Sequence, residues 1–155
     1  MINTDIYTMC IVKKEERILL LNRPPERGFP GYLGPGGKVD FPESIAEGAA
    51  REVFEETGLN VKNLIYKGVD GYADTKNNYR YMVFNYVATD FEGTLLEHPP
   101  EGQLYWVTLD EAMSLPMQPW FKRRFPLFFE EGVFEIHGEW NESRQEVEGY
   151  RIHKM

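Results

Sequence analysis

The segment that most constrains this chain runs from Gly37 to Leu59, GKVDFPESIAEGAAREVFEETGL. Ser44 and, three residues later, Glu47 have the spacing of a capping box, with Pro42 just before them, so the segment predicts a helix over 44–57. Gly58 is placed to end that helix as its C-cap. Ile45, Ala46, Ala49, Ala50, Val53 and Phe54 recur with a helical period and predict one apolar face. The same helix carries Glu52, Glu55 and Glu56 at i, i+3 and i+4, which brings their side chains out of one face. Like charges at this spacing oppose one another, and Arg51 can offset only one neighbour, Glu55 or Glu47. Such a cluster is either solvated acidic surface or a set of oxygen ligands for a hard cation such as magnesium or calcium.

Around this helix the pattern is mostly strand. Residues 5–13 (DIYTMCIVK) are rich in β-branched and aromatic types, and 17–23 (RILLLNR) are almost continuously apolar, as a strand covered on both faces would be. PPERGFPGYLGPGG, dense in Pro and Gly, predicts a shaped loop or an irregular strand. Strands resume over 62–72 and 79–90, with DTKNN as the hairpin turn between them, and again over 104–108. Thr108 and Glu111 suggest a short capped helix over 109–115, and a further helix is expected within 120–130. The tail, VFEIHGEW and EVEGYRIHK, reads as a hairpin about residues 141–143. One strong helix among many strands predicts an α+β fold, a sandwich built on a mixed sheet.

The length, 155 residues, fits one domain spanning 1–155. No apolar run reaches the roughly 20 residues that cross a membrane, and MINTDIYTMC lacks the regions of a signal peptide. The only cysteine, Cys10, cannot form an intrachain disulfide and lies in an apolar run, where it reads as core rather than as a reactive thiol. A cytoplasmic setting is the expectation. The net charge of −8 argues against a partner such as long nucleic acid. It leaves small phosphate substrates open, because divalent cations reverse the local charge of an acidic site.

The spacing of the whole segment resembles the Nudix box, G-x5-E-x7-R-E-U-x-E-E-x-G-U with U aliphatic. Gly37, Glu43, Arg51, Glu52, Val53, Glu55, Glu56, Gly58 and Leu59 fill every specified position. The chance of such a match is on the order of 10⁻⁸. The resemblance implies an α/β/α sandwich with a mixed β-sheet, and magnesium-dependent hydrolysis of a pyrophosphate bond, with manganese as a substitute. It implies Glu52 and Glu56 as principal metal ligands, Glu55 as a ligand or an orienting group for water, and Gly37 as the point where backbone comes close to metal or phosphate. Arg51 and Glu43 would hold the helix and loop in place. A glutamate a few residues before a Trp often serves as a further ligand or base; Glu101, five before Trp106, fits that description, with Glu97 and His98 as rivals.

Upstream, ERGFPGYLGPGGK resembles the segment before the box in MutT-type nucleoside triphosphatases. Downstream, WFKRRFPLFF resembles the branch that removes 8-oxo-dGTP. Two departures bear on the base. Leu33 stands where that branch has an asparagine, and Trp120 and Phe121 stand where it has an aspartate pair. These three could form a stacking pocket with few groups to read a base edge, or the two aromatics could simply pack the core. Lys38, Arg23 and Arg27 are candidates for phosphate contacts. The reading is a small-molecule nucleotide hydrolase, monomer or homodimer, acting on a nucleoside triphosphate. The alternatives are another nucleoside diphosphate derivative as substrate, or a non-catalytic nucleotide-binding module.

Overall fold

In a computed structural model describing residues 1–155, the chain forms eleven strands and three α-helices. The strands are β1 (Asn3–Lys14), β2 (Arg17–Arg23), β3 (Gly31–Leu33), β4 (Gly36–Lys38), β5 (Leu59–Lys62), β6 (Ile65–Asp74), β7 (Tyr79–Ala88), β8 (Asp90–Gly93), β9 (Gln103–Thr108), β10 (Phe134–Asn141) and β11 (Glu146–Lys154). The helices are α1 (Ile45–Thr57), α2 (Leu109–Met113) and α3 (Pro119–Arg124), the last running into a 3-10 turn over Phe125–Phe129. The main sheet has the order β11-β10-β6-β7-β1-β2-β3, with β4 beside β1 and β9 beside β2. β1 runs parallel to β7, and β6 parallel to β10; the other pairs are antiparallel, so the sheet is mixed as expected.

β1 is the axis of the fold because its two faces feed two cores. Met9 and Ile11 pack on one side with Phe121, Phe125 and Phe128 from α3 and the turn after it. Cys10 and Val12 pack on the other with Ala49 and Val53 of α1. The period of two along the strand thus sorts alternate side chains into the two layers that sandwich the sheet. Ile18 to Leu21 of β2 are buried to 1% or less, which is why that segment is apolar at every position. Cys10 is fully buried, and burial pushes its thiol up to about 12, the behaviour of a core residue.

The expected caps at Ser44 and Thr108 are both present, and both are capping boxes. Ser44 Oγ accepts from Glu47 N while Glu47 returns a bond to Ser44 N, and Thr108 and Glu111 do the same at α2. Gly58 takes the left-handed conformation with φ 87°. The apolar face of α1 is narrower than its sequence suggests. Ala46 and Phe54 are exposed, whereas Gly48, Glu56 and Thr57 are buried. The helix is rolled so that Gly48 lies against Val39 and Glu43, where a Cβ would come within 3.0–3.3 Å of their side chains. That roll turns Glu52 and Glu56 inward, toward the loop before the box.

The expected strand over 62–72 is two strands. Asn63, at φ 53°, breaks it. β5 leaves the main sheet to pair with β8, placing Leu59, Val61 and Phe91 over the α1 side of the core. The tail hairpin is present, with β10 added to the sheet edge and β11 outermost and largely exposed. No helix is long and apolar enough to cross a membrane.

Candidate active site

Arg51 organises the entrance to the site. Its Nε and Nη2 donate to the two oxygens of Glu43, at 3.1 and 2.7 Å, and Nη2 also donates to the Lys38 carbonyl at 3.0 Å. Its Nη1 reaches Glu52 Oε1 and Glu55 Oε2, both at 3.0 Å. Glu43 in turn accepts from Asp40 N at 2.7 Å. One guanidinium therefore ties loop 38–43 to the helix, using the fork that suits carboxylates. Arg51 and the Asp40 amide hold the Glu43 carboxyl below the usual carboxylate range. Glu47 takes no part, being committed to the cap.

The three box glutamates occupy different surroundings. Glu55 is half exposed and meets only Arg51. Glu52 is mostly covered and lies between Arg51 and Glu56. Glu56 is buried, lies beside Glu52, and accepts from Gly36 N at 3.3 Å. Burial, then Glu52, then the more distant charge of Glu101 push the Glu56 carboxyl up to about 9. The site thus gathers negative charge in a place that resists it. A pair of carboxylates that retains a proton to lower its repulsion suits a hard divalent cation, which would take the proton's place.

Glycines make this closeness possible. A Cβ at Gly37 would overlap the carboxyl carbon and both oxygens of Glu52, and one at Gly36 would overlap the Thr8 carbonyl. The role of Gly37 is steric, a gap that the Glu52 carboxylate fills. Gly37→Ala is expected to lower kcat/KM by about tenfold or more, because it displaces a flexible side chain at the site. Thermal stability should hardly move. Gly36→Ala meets backbone instead and should lose about 1–3 kcal/mol. Activity assays and thermal melts of the two variants check the contrast.

Of the residues outside the box, Glu101 is the one whose charge reaches Glu56, whereas Glu97 and His98 are exposed loop residues. Glu101 is also drawn to Arg27, whose Nη1 lies 3.4 Å from its Oε2. Glu52, Glu56 and Glu101 accordingly do not close into a three-ligand cluster. Lys38 points to Asp5, with 3.1 Å between Nζ and Oδ1.

The proposed stacking pocket is corrected by the packing. Phe121 is fully buried and Leu33 is 6% exposed, both inside the larger core cluster. Neither offers a face to a base. Trp120 is half-buried, edge-on to Phe121 and near the Arg124 guanidinium. Arg124 was not legible as a core residue. It reads as surface in WFKRRF, yet it is fully buried, with Nη1 3.8 Å from Asp70 Oδ2. Asn22, Gln103 and Tyr105, which no sequence motif marks, line a cleft with Arg23, Arg27 and Glu101.

The Nudix domain profile matches residues 4–128. The chain belongs to the Nudix hydrolase family. It is 32% identical over 115 residues to the Nudix hydrolase YvcI of Bacillus subtilis (strain 168), covering 72% of this chain and 71% of that one. It is 30% identical over 137 residues to the oxidized purine nucleoside triphosphate hydrolase of Mus musculus, covering 88% and 87%. A crystal structure of a mutator MutT protein from Bacillus halodurans superposes with a TM-score of 0.81 at 34% identity, covering 96% of this chain and 97% of that one. This Nudix chain has the family's α/β/α sandwich and is a pyrophosphohydrolase acting on nucleotide derivatives. Enzymes of the family generally depend on divalent metal ions.

Proposed function

We propose that the protein, acting as one catalytic domain, hydrolyses a nucleoside triphosphate to the monophosphate and pyrophosphate with magnesium, and serves to clear altered nucleotides. The observation that carries this reading is the pairing of buried Glu56 with Glu52 beneath the Gly36–Gly37 backbone, a carboxylate site kept intact within a complete box. Similarity to the mouse oxidized purine nucleoside triphosphate hydrolase over most of both chains supports a triphosphate substrate.

Glu52 and Glu56 would hold the cation, with Glu55 at the exposed edge of the set and the Gly37 backbone close by. Once bound, the cation supplies charge neutralisation to the phosphates and acidity to the attacking water. Arg51 keeps the Glu52 carboxylate in place through its bond at 3.0 Å and anchors the loop through Glu43. Glu101, whose charge acts on Glu56 from a separate loop, would take the water's proton on a carboxylate oxygen. Leu33 and Phe121 do not reach a base, so the 8-oxo group would be read elsewhere.

The test is hydrolysis of a panel with magnesium: the common nucleoside triphosphates, 8-oxo-dGTP, ADP-ribose, NAD, a nucleotide sugar and a diadenosine polyphosphate. Pyrophosphate and a monophosphate from one triphosphate are expected. Cleavage confined to the diphosphate-linked compounds would move the substrate class, and no cleavage even with manganese would remove the catalytic reading.

A further inference from the structure

A cleft of about 670 Å³ opens beside Glu101. Its walls carry prolines from four separate places in the chain, Pro24–Pro25, Pro30, Pro99–Pro100 and Pro116. Fixed φ at so many wall positions makes the cleft a preformed one, which lowers the ordering cost of filling it. Its charged lining is Arg23, Arg27 and Glu101, two cations to one anion, in a chain of net charge −8. Asn22, Gln103 and Tyr105 add polar groups. The cleft is therefore a local positive concavity, and it opens on the side of the carboxylate site, since Glu101 lines it and its charge also acts on Glu56.

The Arg27–Glu101 contact is the joint between the two. It spans 3.4 Å with side chains 49% and 36% exposed. A half-exposed ion pair of this kind is weak. A phosphate offers a guanidinium two parallel charge-assisted bonds and a larger charge, so it competes for Arg27 on favourable terms. Arg27 ends a 3-10 turn, Pro25–Arg27, in an exposed stretch where its side chain has room to move.

We propose that this cleft is a subsite for the phosphates beyond the cleaved bond, the pyrophosphate end of a nucleoside triphosphate, held by Arg23 and Arg27. Filling it transfers Arg27 from Glu101 to phosphate and leaves Glu101 free to join Glu52 and Glu56. Substrate capture and completion of the carboxylate set are then one event, and a diphosphate, which lacks the distal group, triggers it poorly. This rests on the triphosphate reading above.

The experiment is calorimetric titration of inorganic pyrophosphate into the metal-free protein in a chelating buffer, followed by triphosphate and diphosphate kinetics with magnesium. Arg27→Ala and Arg23→Ala should each weaken pyrophosphate binding about tenfold or more, the effect of losing a hydrogen bond to a charged group. Arg80→Ala, an exposed charge outside the cleft, should stay within about twofold of wild type and controls for net charge. Arg27→Ala should also raise KM for the triphosphate more than for the diphosphate. If triphosphates are hydrolysed but the double arginine variant binds pyrophosphate as wild type does, the subsite is wrong and the proposed function stands. If pyrophosphate binding depends on both arginines but no triphosphate is hydrolysed, the substrate reading is wrong and the cleft assignment stands.

Discussion

Glu56→Gln is expected to remove nearly all hydrolysis and, at the same time, to make the metal-free protein more stable. The first effect follows from the position of Glu56, the most buried of the box carboxylates and the neighbour of Glu52. Losing a ligand of the cation would cost several kcal/mol of transition-state stabilisation, roughly 10²–10³-fold in rate. The second effect follows from the same burial. The Glu56 carboxyl is pushed from its ordinary 4.5 up to about 9, so the folded protein holds a proton that the unfolded chain releases. Between those two values the group makes stability fall as pH rises. Below about 4.5 it is neutral in both states and costs nothing of this kind. Glutamine keeps the shape and carries no charge, so the slope should vanish in the variant. Thermal melts in chelator, run across that pH range, should show wild type losing several degrees more than Glu56→Gln, at about 2–4 °C per kcal/mol for a chain of this size. Added magnesium should raise the wild-type melt and leave the variant unmoved. Equal melts at all pH values would mean that Glu56 is solvated and unstrained. Wild-type turnover in the variant would remove it from the site.

The opposite signs of these two effects say why parts of the site were legible and others were not. The box glutamates violate what a stable isolated helix wants, like charges at i+3 and i+4 and an acid on the buried side, so the pattern is visible in one dimension. Caps are local as well, and Ser44 with Glu47 and Thr108 with Glu111 form as their spacing predicts. The Gly37 gap around Glu52 is partly local, since β4, which carries Gly37, leads through one short loop into α1, which carries Glu52. The break at Asn63 is different. Its side chain is common in strands' ends and loops alike, and only the pairing of β5 with β8 makes the left-handed turn worthwhile. Arg27 and Glu101 meet because β2 and β9 are neighbours, a fact about topology that no spacing within either segment reveals.

Aromatic residues mark the other boundary, because a core position and a base-stacking position ask for the same side chains. Phe121→Ala separates them and carries the largest expected loss of stability. Phe121 is fully buried between Trp120, Phe125 and Phe128, and its layer covers the β1 face that bears Met9 and Ile11. Truncation there removes a large apolar group and leaves a cavity in a close-packed layer, about 3–5 kcal/mol. The melt should fall by roughly 10 °C, using the same conversion. Well below that melt, the folded fraction should keep its KM, since no surface of Phe121 reaches a ligand. A stacking role predicts the reverse, a raised KM with an unchanged melt. Trp120→Ala provides the comparison from the adjacent position, because Trp120 is only half-buried and loses less packing. If Phe121→Ala melted with wild type and only KM rose, the α3 layer would be a substrate pocket and the assignment of Phe121 to the core would be wrong.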